Sequence, residues 1–195
     1  VSLEYSTDAN GVGCFACANE RTLFRIERNA AELTYLYRRA KGERRVVPGG
    51  IETVKELCAR GYTLGIISDL IGCREIDEWL DADGLRPYFK TVQQSSITML
   101  RKPHPAIYFL ALAEAGVRPE ESAFVGDNLK RDIIGAKASG FARTIAVDYP
   151  GAAPLKLTAE NAPDGIITRF DQLLDVFPGV PDFCEDAMEK RRVMA

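Results

Sequence analysis

Two kinds of hydrophobic spacing divide the chain. From Arg21 to Ala40, the residues Leu23, Ile26, Ala30, Leu33, Tyr37 and Ala40 recur at three- and four-residue intervals. That is the period of one helix face, and it predicts a long amphipathic helix. Pro48-Gly49-Gly50 interrupts the pattern, and Ile51 to Arg60 predicts a second helix stopped by Gly61. Beyond it, short apolar runs alternate with helical spacing. Thr63-Leu-Gly-Ile-Ile67 reads as a strand covered on both faces and ended by Ser68-Asp69. A helix over Glu75 to Leu80, a turn at Asp83-Gly84, and a weaker strand starting at Thr91-Val92 come next. After the loop at Arg101-Lys102-Pro103, the pattern predicts a helix over Ala106 to Ala115, a strand over Ala123 to Val125, and a helix to Ser139. Thr144 to Val147 and Gly165 to Thr168 read as strands, and Phe170 to Val176 as a closing helix. Val1 to Glu20 shows no firm period and carries turn residues at Asp8-Ala-Asn-Gly11 and Gly13.

Strands alternating with helices of this length imply crossover connections and a mainly parallel sheet. The expected fold is α/β, a doubly wound sheet with a small helical segment at the N-terminus. Residues 1–45 form that segment, 46–177 the α/β core, and the polar stretch 178–195 a loose or weakly helical tail. A length of 195 residues suits one domain with a small appendage.

Composition removes several classes. A net charge of −3 argues against a nucleic-acid binder held by phosphate contacts. No apolar run approaches a membrane span, and no signal-peptide pattern opens the chain. Cys14, Cys17, Cys58, Cys73 and Cys184 are odd in number and scattered, which fits reduced thiols in a cytoplasmic protein. Cys14-Phe-Ala-Cys17 lacks the further ligands a zinc site needs, and reads as a partly buried thiol pair. The single histidine, His104, lies between two prolines and reads as a loop residue.

Candidate chemistry gathers at strand ends. Asp127 follows the Ala123 to Val125 strand and Asp132 comes five residues later, just as a helix opens. Carboxylates at the carboxyl end of a strand in an open α/β sheet offer a place for a hard cation such as Mg²⁺. Ser68 ends the earlier strand, and Lys102 precedes Pro103. A hydroxyl, an ammonium and a metal held by carboxylates are what a phosphate monoester needs. The expected partner is a small phosphorylated metabolite.

With these residues in view, the chain resembles the haloacid dehalogenase-like hydrolases. Gly65-Ile-Ile-Ser-Asp69, Arg101-Lys-Pro-His-Pro-Ala-Ile-Tyr108 and Phe124-Val-Gly-Asp-Asn-Leu-Lys-Arg-Asp132 look like that family's second, third and fourth motifs, in order. The resemblance covers about residues 46 to 177 and implies phosphate transfer through an aspartyl-phosphate. Ser68 and Asp69 would hold the phosphoryl group and Lys102 would stabilise its charge. Asp127 would ligate Mg²⁺, and Asp132 would orient Lys102 or support the metal. The family's first motif, DxD, finds only Asp8-Ala-Asn-Gly-Val12, with Asn10 where a proton carrier should stand. Because the chain opens with Val1, an N-terminally incomplete sequence is the first expectation, and the helix from Arg21 then reads as the end of a cap. A site using Asp8 as nucleophile, or a non-catalytic relative that keeps the phosphate cradle, are the others. On each of these readings the chain itself is weak or inactive as a phosphatase.

Overall fold

The structure is a computed structural model and describes residues 4–7, 13–16, 20–42 and 45–179. The chain divides into two compact units, Val1–Glu43 and Arg44–Ala195. In the first, β1 (Glu4–Thr7) and β2 (Gly13–Ala16) pair antiparallel, with Glu4 opposite Ala16 and Thr7 opposite Gly13. The helix α1 (Glu20–Ala40) follows and carries Arg38 and Arg39 in its last turn, where cations suit the helix dipole. Sequence spacing predicts turns here and no strand, because four-residue strands hold too few positions to show a period of two. Asp8, Asn10 and Cys17 lie outside the described residues, as does the tail beyond Gly179.

The second unit runs α2 (Gly50–Ala59), β3 (Leu64–Ser68), α3 (Glu75–Ala82), β4 (Phe89–Gln94), α4 (Ser95–Thr98) and α5 (Pro105–Ala115). It continues through β5 (Ala123–Gly126), α6 (Gly135–Ala138), β6 (Arg143–Val147), β7 (Gly165–Ile167) and α7 (Leu173–Val176). All its strand pairs are parallel. β3 pairs with β4, placing Gly65 opposite Thr91 and Ser68 opposite Gln94. β6 lies between β5 and β7, with Val125 opposite Ile145 and Ala146 opposite Ile166. The α/β class with a parallel sheet and interleaved helices is therefore the observed one.

Two differences from the sequence pattern have a local cause. β4 starts at Phe89, ahead of Thr91, because the helical turn Arg86–Tyr88 ends on an extended Phe89. After β5 the chain makes a wide π-type turn over Leu129–Ile134 before α6, where spacing predicts one continuous helix. The Asn128 side chain fixes that turn by accepting the Arg131 N–H at 2.9 Å, while the Asp132 N–H reaches back to the Asn128 carbonyl at 2.7 Å.

Three apolar clusters hold the unit together. Val54, Leu70, Ile76, Leu80 and Leu85 pack on the β3 side, with Leu64 and Ile66 partly buried against them. Leu57, Ile145, Val147, Ile167 and Leu173 pack under β6 and β7. Ile107, Tyr108, Phe124 and Ala136 form the third, closed by Phe141. In it the rings of Tyr108, Phe124 and Phe141 meet edge to face, with centroids 5.3 to 5.9 Å apart.

Among the described residues, β3 pairs with β4 alone and β5 with β6 alone, so the parallel sheet is in two pieces. A cleft of about 530 Å³ touches every residue from Thr63 to Ile67 and every residue from Ala123 to Asp127. A strand's face presents alternate residues, whereas its edge presents all of them. The cleft therefore runs along two open strand edges. No described helix is long and apolar enough to cross a membrane.

Candidate active site

The carboxyl ends of β3 and β5 are tied together by polar contacts. Gly126 ends β5, and a Cβ there would lie 2.5 Å from the Cβ, Cγ and Oδ2 of Asp132. Glycine is required for the turn to fold back this tightly. The turn returns Asp132 to the strand end, where its Oδ2 accepts the Asn128 N–H at 2.9 Å. Its Oδ1 accepts from Lys102 Nζ at 2.7 Å, and the two side chains are only 5% and 12% exposed. Such a bond is charge-assisted and fixes the lysine's direction. The ammonium also sits 5.6 Å from the centre of the Phe124 ring, so the third core cluster supports it from below.

Lys102 is held by its backbone as well. Its N–H donates to Asp69 Oδ1 at 3.1 Å, joining the loop before α5 to the end of β3. Asp69 has a side chain only 4% exposed, and its other oxygen hydrogen-bonds nothing. That oxygen lies 3.5 Å from Arg101 Nε and 3.7 Å from an Arg131 guanidinium nitrogen. The Tyr108 hydroxyl donates to the Arg131 carbonyl from within the core. Burial pushes the Tyr108 phenol above its ordinary pKa, and the carboxylates of Asp132 and Asp69 push it further.

Lys102, Asp127 and Asp132 line the same cleft mouth. Ser68 ends β3 half-buried and is not part of that lining. Asp127 is exposed, and among the described residues its carboxylate has no hydrogen-bonding partner. Its charge reaches Tyr149, whose phenol is raised first by burial and then by Asp127. His104 caps α5, its Nδ1 accepting the Ala106 N–H at 3.2 Å. Asp8 cannot be placed, because it lies outside the described residues.

The donor set bears on Mg²⁺ directly. Among the described residues no group of three or more His, Cys, Asp or Glu side chains could hold a metal ion. Both oxygens of Asp132 are engaged, so among the described residues that line the cleft Asp127 is the carboxylate without a hydrogen bond. Mg²⁺ commonly keeps several waters and binds one or two carboxylates together with substrate phosphate. Asp127 fits the role of one such ligand.

Sequence spacing singles out Lys102, Asp127 and Asp132, but it misses the Asp69–Arg101–Arg131 cluster. No local signal marks it, since its members come from the end of β3, the loop before α5 and the helical turn after β5, which meet only in the fold.

Comparison with known proteins bears on this arrangement. A family model described as haloacid dehalogenase-like hydrolase matches residues 21–147. A glyceraldehyde 3-phosphate phosphatase of Pyrococcus furiosus is 38% identical over 132 residues, which cover 68% of this chain and 54% of that protein. Phosphoglycolate phosphatase 1 of Pseudomonas aeruginosa is 33% identical over 133 residues, covering 68% of this chain and 46% of that one. The chain thus spans about half the length of the curated relatives it matches. Among solved structures, a phosphatase from Thermococcus onnurineus superposes with a TM-score of 0.58 at 29% identity, over 68% of this chain and 58% of the other.

Proposed function

Because the chain belongs to the haloacid dehalogenase-like hydrolases, we propose that its activity is Mg²⁺-dependent hydrolysis of a small phosphorylated metabolite. The observation that carries the reading is the buried Lys102–Asp132 pair, held at 2.7 Å in a cleft mouth that Asp127 also lines. Relatives named as phosphatases support it.

Lys102 aims its charge at the phosphoryl oxygens, and Asp132 keeps the ammonium from swinging into solvent. The Ser68 hydroxyl and the backbone at Asp69 hold the same group through hydrogen bonds. Asp127 and the phosphate would hold Mg²⁺, which would supply neutralisation of charge on the transferring group. An aspartate carboxylate oxygen attacks phosphorus, the P–O bond to the alcohol breaks to leave an aspartyl-phosphate, and the departing alkoxide takes a proton from water. Water then cleaves that intermediate and releases phosphate. On the reading that takes Asp8-Ala-Asn-Gly-Val12 for the family's first motif, Asp8 would be the nucleophile. The proton carrier two residues on is Asn10, an amide that cannot serve. Loss of acid–base help costs about 10²–10⁴-fold, so turnover through Asp8 would be slow. Asn10 also favours a second reading, in which the chain binds phosphorylated ligands and does not cleave them.

The test is phosphate release from an activated aryl phosphate, with and without Mg²⁺. Slow Mg²⁺-dependent release is expected, lowered by about 10²–10³-fold in Lys102→Ala. It should be abolished by Asp8→Asn and raised by about 10²-fold in Asn10→Asp. Binding of inorganic phosphate with no release from any of these proteins would establish the second reading. Release that ignores both Mg²⁺ and Lys102→Ala would overturn the site.

A further inference from the structure

We propose that Tyr108, fully buried and not part of the cleft lining, is a positioning residue that holds the Lys102–Asp132 pair in its phosphate-binding geometry. The inference rests on the phosphate-site reading above and adds to it a residue that acts without touching the ligand.

Tyr108 stands in the first turn of α5, on the helix that follows Lys102. Its hydroxyl donates to the carbonyl of Arg131, the residue before Asp132. Its ring meets Phe124 edge to face at 5.3 Å, and the Lys102 ammonium lies 5.6 Å from the centre of that same Phe124 ring. The contacts close on themselves. Lys102 donates to Asp132 at 2.7 Å, the backbone joins Asp132 to Arg131, and Tyr108 links Arg131 through Phe124 back to Lys102. The turn after β5, the strand β5 and the helix α5 each supply a member, so a shift of any one strains the others.

The turn is also shaped around the hydroxyl. A Cβ at Gly135 would collide with the Tyr108 oxygen, so the chain keeps a glycine where that oxygen lies. A phenylalanine would fill the ring's place in the third apolar cluster equally well, and the packing by itself does not call for a hydroxyl. A buried hydroxyl costs stability unless it is hydrogen-bonded, and here the bond goes to the segment that carries Asp132. Burial, and then the charges of Asp132 and Asp69, push the phenol above its ordinary pKa. Tyr108 therefore keeps its proton and remains a donor beside an ionised site.

Ser139 provides the control. Its hydroxyl is also buried and donates to a backbone carbonyl, that of Gly135 at 2.8 Å, but this bond closes one helical turn and does not involve Lys102 or Asp132. The experiment is calorimetric titration of the full chain with inorganic phosphate, for wild type, Tyr108→Phe and Ser139→Ala, alongside their thermal melts. Both variants should melt modestly below wild type, each having lost one neutral hydrogen bond. Phosphate should bind about fivefold more weakly to Tyr108→Phe and within about 1.5-fold of wild type to Ser139→Ala. The side-chain ammonium nitrogen resonance of Lys102, identified by its loss in Lys102→Ala, should move in Tyr108→Phe and stay in place in Ser139→Ala. Phosphate affinity unchanged in Tyr108→Phe, or lowered equally in both variants, overturns the inference and leaves the proposed function standing. Failure of wild type to bind phosphate overturns the proposed function. The Lys102 resonance then decides the inference separately: movement in Tyr108→Phe alone supports it, and no movement overturns it.

Discussion

At the scale of single residues, Asp127 and Tyr149 make cation binding observable without turnover. The Tyr149 phenol is raised first by burial and then by the charge of Asp127. A cation on Asp127 cancels the second contribution, so Mg²⁺ should lower the Tyr149 pKa and leave the burial contribution in place. Phenolate absorbance followed against pH, for wild type and Tyr149→Phe, checks this. The expected result is a titration that moves to lower pH with Mg²⁺ and is missing from the variant; a Mg²⁺-indifferent curve would remove Asp127 from the ligand role. The residues of this site differ in how plainly the sequence displays them. Asp127 and Asp132 share one turn, and Lys102 announces itself by preceding Pro103 ahead of a helix. Asp69 is harder to read. Its neighbour Ser68 suggests a phosphate contact, whereas its side chain accepts the Lys102 N–H and faces two arginines. Those partners lie in loops far along the chain, and no periodicity encodes a meeting of loops.

Among the elements, the turn after β5 controls the site. Asp132 can reach Lys102 only because Gly126 leaves room for it. In Gly126→Ala the new methyl must displace Asp132, and overpacking of this kind costs about 1–3 kcal/mol. Chemical denaturation should show that loss, and calorimetry should show weaker phosphate binding, since Lys102 loses its fixed partner. Full stability with unchanged binding would mean that the turn relaxes freely. The strands were the legible elements. Ile66 and Ile67, Phe124 and Val125, and Ile145 to Val147 are apolar runs because helices cover both faces of the sheet. The pair β1 and β2 was not legible, as each has four residues and mixed polarity. The π-type turn at Leu129–Ile134 was also hidden, because it is set by the side-chain cap of Asn128, which local spacing does not record.

For the whole molecule, stability should fall on the acid side through a link between β6 and the segment entering β7. Asp164 accepts the Thr144 N–H at 2.7 Å and its hydroxyl at 2.8 Å. These bonds hold its pKa below the ordinary 3.8. A carboxyl depressed by folding stabilises the folded state above its unfolded pKa, and that contribution is lost as pH falls through the folded value. Asp164→Ala should therefore melt below wild type at neutral pH, with the gap closing as the pH drops below 3.8. A gap that stays constant down that range would assign the loss to packing instead. The two open edges at the cleft have a different consequence. A segment laid along either edge gains the hydrogen bonds that the edge offers. Such an insertion is close to all-or-none in register, because a slip of one residue reverses every side chain between the two apolar layers. Competition for the cleft is then decided by effective concentration: a segment joined to the same chain has a large advantage over an equal one arriving from solution. Open edges of this kind invite pairing, and a segment tethered nearby reaches them ahead of one that must arrive from another molecule.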